Sequence, residues 1–322
     1  MTNIVYSPKI SVVTPTLCRP DHVLSLLENL SQQIFMPFEV ILVDGASETE
    51  KSTEEVVRKL VNNLPFNINY IKFSGGTALQ RNKGLEVVQG DLVAFIDDDI
   101  RLESDFFERI IEVYVQDENK KVGGVAGYIT NQYVDINKSP HWRIYRKLNL
   151  FTVYEPGQYD YDTGYPINRY LQPPHDGIKR IDFMGTNCAV WRREVIDSGL
   201  RFSEFFTGYG MLEDAHFALR ARKQWILLEC GKARCIHLHA KSGRENPRLL
   251  ARKTSENYRY VFMDIVPYRT FKQECRFWRV QFIDLIRFFI YAVLHPTKNN
   301  WLTVLGKIEG LFFALKMKQP ND

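Results

Sequence analysis

The chain has 322 residues, 45% hydrophobic and 25% charged, the balance of a soluble globular protein with room for one large domain and an appendage, or two modest domains. Five cysteines (Cys18, Cys188, Cys230, Cys235, Cys275) form no CxxC pair, which disfavours a disulfide framework or zinc site and suits reduced thiols in the cytoplasm. The net charge of +4 is uneven: residues 241–322 hold fifteen Lys and Arg against seven Asp and Glu, so a mildly acidic body carries a basic tail suited to an anionic surface. Residues 1–9 lack the apolar core of a secretory signal.

In chain order, the β-branched run 10–14 reads as a strand, followed by Thr14-Pro15-Thr16 and a helix starting near Pro20-Asp21, with Val23, Leu26, Leu27 and Leu30 at helical spacing. A second apolar strand, 39–43, ends at Asp44-Gly45. A polar helix with Val56, Val57 and Leu60 inward leads to a third strand near 68–73. Gly75-Gly76 breaks the chain before a helix over 77–88. The fourth strand, 92–96, is a continuous apolar run of the kind covered on both faces, and it runs into Asp97, Asp98 and Asp99. A helix over 106–115 and a strand over 122–129 follow. This alternation predicts an α/β fold with a parallel sheet and right-handed crossovers.

In such sheets ligands bind outside the carboxyl ends of the strands. Three polar strand ends, at Thr14–Thr16, Asp44 and Asp97–Asp99, therefore meet on one rim. Adjacent carboxylates repel, so three together call for a compensating cation, and hard oxygen donors favour Mg2+ or Mn2+. A solvated acidic turn is the plainer alternative. No GxGxxG follows the first strand and no GxxxxGK[ST] occurs, which disfavours dinucleotide and P-loop chemistry. Residues 131–176 carry His141-Trp142 and an aromatic run, Tyr154, Tyr159, Tyr161, Tyr165 and Tyr170. They read either as a binding loop whose aromatics stack on sugar rings or as a surface loop pinned by its own aromatics.

Val12-Val13-Thr14-Pro15-Thr16, Val43-Asp44-Gly45-Ala46-Ser47, Ala78–Gly84, Phe95–Asp99, Gly185–Arg193 and Gly208–Arg220 stand in an order and spacing that resemble family 2 glycosyltransferases over roughly residues 9–240. The resemblance implies a GT-A-type, Rossmann-like sheet, mixed and mostly parallel, flanked by helices. It implies metal-dependent, inverting transfer from a nucleotide-diphospho-sugar, expected to be UDP-linked, to a glycan or lipid-linked acceptor. Thr14, Pro15, Thr16, Asp44, Arg81, Asp97 and Asp98 would hold the nucleotide. Asp99 and Asp97, with His239 (His237 as second choice), would hold Mn2+ or Mg2+; the register within the three acids stays open. Asp214 would be the general base and Glu213 would position the acceptor, although the two acids also suit a helix N-terminus. Residues 241–252, with Arg244, would form a loop closing over the diphosphate. Rival readings are a sugar nucleotidyltransferase and a noncatalytic carbohydrate-binding or scaffold subunit.

Residues 1–240 thus read as the catalytic domain and 241–322 as a basic, helical C-terminal region. From Tyr268 onward, basic residues recur beside a broad apolar face, and a second apolar segment covers 301–317. Neither reaches the ~18 uninterrupted apolar residues of a spanning helix, so the pair is expected to lie on a membrane interface or to pack as a helix pair or homodimer contact. Nucleic acid is not expected. The expected location is cytoplasmic, peripheral on the inner face of the cell membrane.

Overall fold

The computed structural model describes residues 7–208, 210–240 and 246–320. The chain opens with β1 (Ile10–Thr16), α1 (Pro20–Ser31), β2 (Glu39–Asp44), α2 (Ser52–Leu60), β3 (Asn67–Lys72) and α3 (Thr77–Leu85). It continues through β4 (Leu92–Ile96), β5 (Ile100–Leu102), α4 (Phe106–Gln116), β6 (Val122–Ile129) and α5 (Pro140–Lys147). Next come β7 (Tyr159–Asp160), β8 (Tyr165–Pro166), β9 (Ile178–Ile181), β10 (Cys188–Arg192), α6 (Arg193–Asp197) and α7 (Glu213–Ala221). It ends with β11 (Ile226–His237), α8 (Pro247–Ile265), α9 (Phe271–Leu294) and α10 (Lys298–Lys316). Two compact units result: the first takes the chain up to residue 133, 173–210 and 217–243, the second 134–172, 211–216 and 244 onward.

The first unit holds one sheet in the order β3-β2-β1-β4-β10-β6-β11-β5, with β9 added on β11. β3, β2, β1 and β4 are all parallel, as the strand–helix alternation predicts. β10 enters antiparallel between β4 and β6, which makes the sheet mixed. All five residues of β4 are fully buried, the environment its apolar run demands. The chain steps outward from β1 to β2 and β3, then returns through α3 to place β4 on the other side of β1. That reversal is where an open α/β sheet leaves a crevice at its carboxyl edge. α3 reaches the sheet closely because Gly84 carries no side chain: a Cβ there would stand 2.5 Å from Val13 Cγ1. The same approach sets Gln80 and Arg81 at the ends of the strands.

Most predicted elements sit within a residue or two of their expected bounds. β1 runs on to Thr16 because pairing with β2 continues to Thr16 opposite Asp44. Pro15 is tolerated there because the β4 register stops at Val13, so no ladder bond is asked of it from that side. Helix α3 ends at Leu85, short of the expected Val88, where Val87 N–H turns back to Gly84 O. Of the apolar residues assigned inward on α2, Val57 is buried and Val56 and Leu60 are half-buried.

In the second unit the aromatic stretch is folded onto itself rather than displayed. Trp142, Tyr145, Leu150, Phe151, Ile167 and Leu171 form a buried cluster with Val280 of α9. Tyr165 stacks between Phe151 and Tyr258 of α8 at 4.6 and 5.3 Å. Tyr159 is buried as well, while Tyr161 keeps about a third of its surface exposed (36%). The pinning role accounts for most of these rings. Of the loop expected over 241–252, residues 247–252 are helical instead: α8 starts at Pro247, capped by Asn246, whose Oδ1 accepts Leu249 N–H at 2.9 Å. Lys241 and Arg244 lie outside the described residues.

Helices α8, α9 and α10 pack by two devices. Gly306 and Gly310 of α10 lie so close to α8 that a Cβ at either would strike the carbonyl of Arg248 or Arg252. Asp284 of α9 accepts from Arg287 at 2.7 Å and pairs with Lys307 of α10, a lysine only 6% exposed. Burial pushes the Asp284 carboxyl up, but Lys307 and Arg287 outweigh it and hold it below its ordinary value. Its stabilising contribution is therefore complete at neutral pH and is lost as pH falls through that lowered value. Asp284→Ala leaves a buried ammonium unpaired and should cost roughly 3–5 kcal/mol, read as a lowered thermal midpoint at pH 7 that converges on wild type in acid. No helix among the described residues is long and apolar enough to cross a membrane.

Candidate active site

In the first unit, the carboxyl ends of β1, β2 and β4 carry the expected polar groups. Thr14, Thr16, Asp44, Asp98 and Asp99 are all buried there. Thr14 Oγ1 donates to Ile96 O at 2.7 Å and ties β1 to the last residue of β4. The three consecutive acids have separate fates. Asp98 points into the protein, accepting from Thr16 Oγ1 at 2.7 Å and from Arg19 Nη1 at 2.8 Å. Burial raises its pKa, opposed by the Arg19 guanidinium. Both its oxygens are engaged in locking β1 to β4. Asp97 is about a quarter exposed and accepts from Arg81 Nη2 at 2.8 Å. Asp99 meets His237 Nε2 through Oδ1 at 3.1 Å and accepts Ala240 N–H through Oδ2 at 2.8 Å. Burial pushes the Asp99 carboxyl up, but these hydrogen bonds and the His237 charge prevail and hold it at about 2.

Asp44 is fixed by two donors, Ala46 N–H on Oδ1 at 3.0 Å and Tyr70 O–H on Oδ2 at 2.6 Å. Gln80 Nε2 bridges the carbonyls of Thr16 and Val43 at 2.9 and 2.7 Å, joining the ends of β1 and β2. Lys72 Nζ holds the loop after β2 through Ser47 O at 2.7 Å. Tyr70, Gln80 and Lys72 escaped the sequence reading. Of the three, only Gln80 lies in a family-like stretch, Ala78–Gly84, and nothing marks it apart from its neighbours.

Two apart in sequence, His237 and His239 would share a face on a continuous strand. His237 is the last residue of β11, and His239 lies beyond it with φ +57°, yet the rings still stack at 4.0 Å. Gln132, at the end of the short turn after β6, reaches both: its Nε2 lies 2.7 Å from His237 Nδ1 and 3.1 Å from His239 Nε2. His237 is hydrogen-bonded to Asp99. Among the described residues no three Asp, Glu, His or Cys side chains converge as a complete metal cage. The donor chemistry nevertheless fits Mg2+ or Mn2+, which take one or two carboxylates and draw the rest of their shell from water and phosphate. Asp97 and Asp99 can supply those carboxylates, with an imidazole beside them.

Glu213 and Asp214 belong to the second unit and form the first turn of α7. Asp214 Oδ1 accepts Ala215 N–H at 2.7 Å. The segment before the helix is set from α8. Asn257 Nδ2 donates to Met211 O at 2.7 Å, Leu212 takes φ +71°, and His216 Nε2 lies 2.8 Å from Asp264. Asn257 and Asp264 lie more than forty residues downstream, and no local pattern could have announced them.

The sequence model of glycosyl transferase family 2 matches residues 11–194, more than half of the chain. The protein belongs to that family. A glycosyltransferase of Haemophilus influenzae that has not been characterised is 33% identical over 110 residues, 34% of this chain and 36% of its own. TuaG of Bacillus subtilis, a putative teichuronic acid biosynthesis glycosyltransferase, is 29% identical over 117 residues, 36% of this chain and 45% of its own. The chain thus spans less than half the length of each of these relatives. The solved mannosyltransferase PcManGT of Pyrobaculum calidifontis, bound to GDP-Man and Mn2+, aligns with a TM-score of 0.54 at 15% identity, covering 97% of this chain and 88% of its own. That likeness shows the GT-A fold.

Proposed function

We propose that this chain is a metal-dependent, inverting glycosyltransferase that moves a hexosyl group from a UDP-linked sugar to a glycan or lipid-linked acceptor. Residues 1–240 would carry the catalysis, and the C-terminal helices would bring the enzyme to the inner face of the cell membrane. The observation that carries this reading is the division of labour at the end of β4. Asp98 is spent on the fold, and Asp97 and Asp99 flank it at the crevice of a family 2 chain. The Mn2+ in PcManGT supports a divalent cation here too.

In this reading Thr14, Pro15 and Thr16 form the floor for the nucleotide. Asp44 accepts from the base N–H with lone pairs that Ala46 and Tyr70 leave over, since each carboxylate oxygen can accept twice. Arg81 turns from Asp97 toward the diphosphate. Asp97 and Asp99, with His237 or His239, would hold Mn2+ or Mg2+, which when bound neutralises charge on the leaving diphosphate. Glu213 orients the acceptor, and Asp214 takes the proton of the attacking hydroxyl. A new C1–O bond forms as the C1–O bond to phosphate breaks on the opposite face, so the anomeric centre inverts.

The test is a panel of nucleotide sugars incubated with Mn2+, Mg2+ or EDTA, with the released nucleotide assayed. Nucleoside diphosphate released only with metal supports the reading. Nucleoside triphosphate formed only when pyrophosphate is added would point to a nucleotidyltransferase, and no turnover of any donor to a noncatalytic subunit. Asp264→Ala and Asn257→Ala should lower kcat by roughly ten- to a hundred-fold by loosening the start of α7, while donor binding, read by titration calorimetry, stays within about twofold.

A further inference from the structure

Helices α9 and α10 each bury one side and leave another apolar side uncovered. On α9, Phe271, Phe282, Ile286, Phe289 and Val293 recur at helical spacing along one face, and all are exposed. On α10, Trp301, Leu305, Ile308, Phe312 and Leu315 do the same. The two stripes belong to one surface. Phe271, Trp278 and Phe282 of α9 line a groove of about 700 Å³ together with Leu311 and Leu315 of α10. At the other end, the Phe289 and Trp301 rings meet at 5.8 Å. Phe282 is 62% exposed and Leu315 66%, so this surface is not the edge of a core.

The charges around it have one sign. The three acids of α9 and α10 are all neutralised within the unit: Glu274 by Arg259 and Arg269, Asp284 by Arg287 and Lys307, Glu309 by Arg248. Among the described residues, Lys272, Lys298, Lys316 and Lys318 have no carboxylate partner. On α10, Lys298 and Lys316 bracket the apolar stripe along the same side of the helix, and Lys316 lies over the Phe312 ring at 4.0 Å. We infer that this two-helix face lies flat in the interface of an anionic phospholipid bilayer, its rings and aliphatic chains among the upper acyl groups and its lysines at the phosphates. A second copy of the chain is a poorer occupant, because it would oppose lysines to lysines. Neither helix is long and apolar enough to cross the bilayer.

This inference rests on the peripheral contact proposed above and gives it a surface and a lipid; cleavage of a soluble donor does not depend on it. The test is co-sedimentation of the full chain with vesicles of phosphatidylglycerol and phosphatidylcholine in equal parts, against vesicles of phosphatidylcholine alone. Binding should be at least about tenfold tighter to the anionic vesicles and fall with added salt, since each lysine near an anionic surface adds about a fivefold gain. Lys298→Glu with Lys316→Glu should remove the preference for anionic lipid. Phe289→Ser with Phe312→Ser should weaken binding to both vesicles, with an unchanged thermal midpoint. Equal binding to both lipids, or none, overturns the inference. So does a dimer in light scattering that Phe289→Ser with Phe312→Ser dissociates. Nucleotide release from the soluble donor is measured on the same variants: its absence in the wild type with vesicle binding intact would sink the transferase reading and leave the membrane face standing.

Discussion

Asp214→Asn is expected to lower kcat by about 10²- to 10⁴-fold, the range for losing a positioned general base, while donor binding with Mn2+ changes little. The substitution isolates the proton-transfer role because it keeps the structural one. Asp214 Oδ1 accepts the N–H of Ala215, and the carbonyl oxygen of asparagine can accept the same bond. The lost charge near the helix N-terminus should cost about 0.3–1 kcal/mol. What disappears is basicity, since an amide does not take a proton at neutral pH. The measurements are kcat for transfer, titration of donor nucleotide with Mn2+, and the thermal midpoint of each variant. Turnover close to wild type would remove Asp214 from the mechanism and leave it as a helix-start acid only. A collapse of donor binding along with kcat would assign it to the donor instead.

The rim of the sheet was legible in the sequence because its determinants are local. β4 announces itself as five apolar residues with no polar interruption, and three acids follow at once. The parallel half of the sheet followed from alternating periodicities, and the polar groups at its carboxyl edge from the ends of the strand patterns. The order within the acids was not legible. Which of three consecutive carboxylates turns inward depends on Thr16 and Arg19, about eighty residues upstream, and these reach Asp98 only after β1 and β4 pair. The partners of the aromatic stretch were hidden for the same reason: Val280 and Tyr258 lie about a hundred residues beyond the rings they touch. Other features were present in the sequence and passed over. Thr270 and Gln273 form a reciprocal capping box that marks the start of α9. Gly306 and Gly310, four apart on an apolar helix, mark the close seam with α8.

Asp98→Ala and Asp99→Ala should fail in different ways, and the contrast tests the assignment of roles at the rim. Asp98 is 1% exposed and its carboxylate answers both Thr16 and Arg19. Removing it takes an acceptor from the Arg19 guanidinium and the Thr16 hydroxyl at the junction of β1 and β4, a loss of roughly 3–5 kcal/mol that owes nothing to metal. The thermal midpoint of Asp98→Ala should drop equally with and without Mn2+ and nucleotide present. Asp99 is hydrogen-bonded too, but to Ala240 N–H and His237, groups at the end of β11 rather than between the central strands. Asp99→Ala should cost less without ligands, and its main defect should appear when Mn2+ and UDP are added. The wild type should gain stability as RT ln(1 + [L]/Kd), about 2.7 kcal/mol at a hundredfold excess over Kd, and the variant should gain almost none of it. Thermal unfolding of the three proteins with EDTA, with Mn2+ alone and with Mn2+ plus UDP separates the two effects. Should Asp99→Ala retain the full ligand-induced rise, the metal would have to sit on Asp97 without it; should Asp98→Ala be stable and blind to Mn2+ and UDP, the buried carboxylate would be the ligand and the clamp incidental.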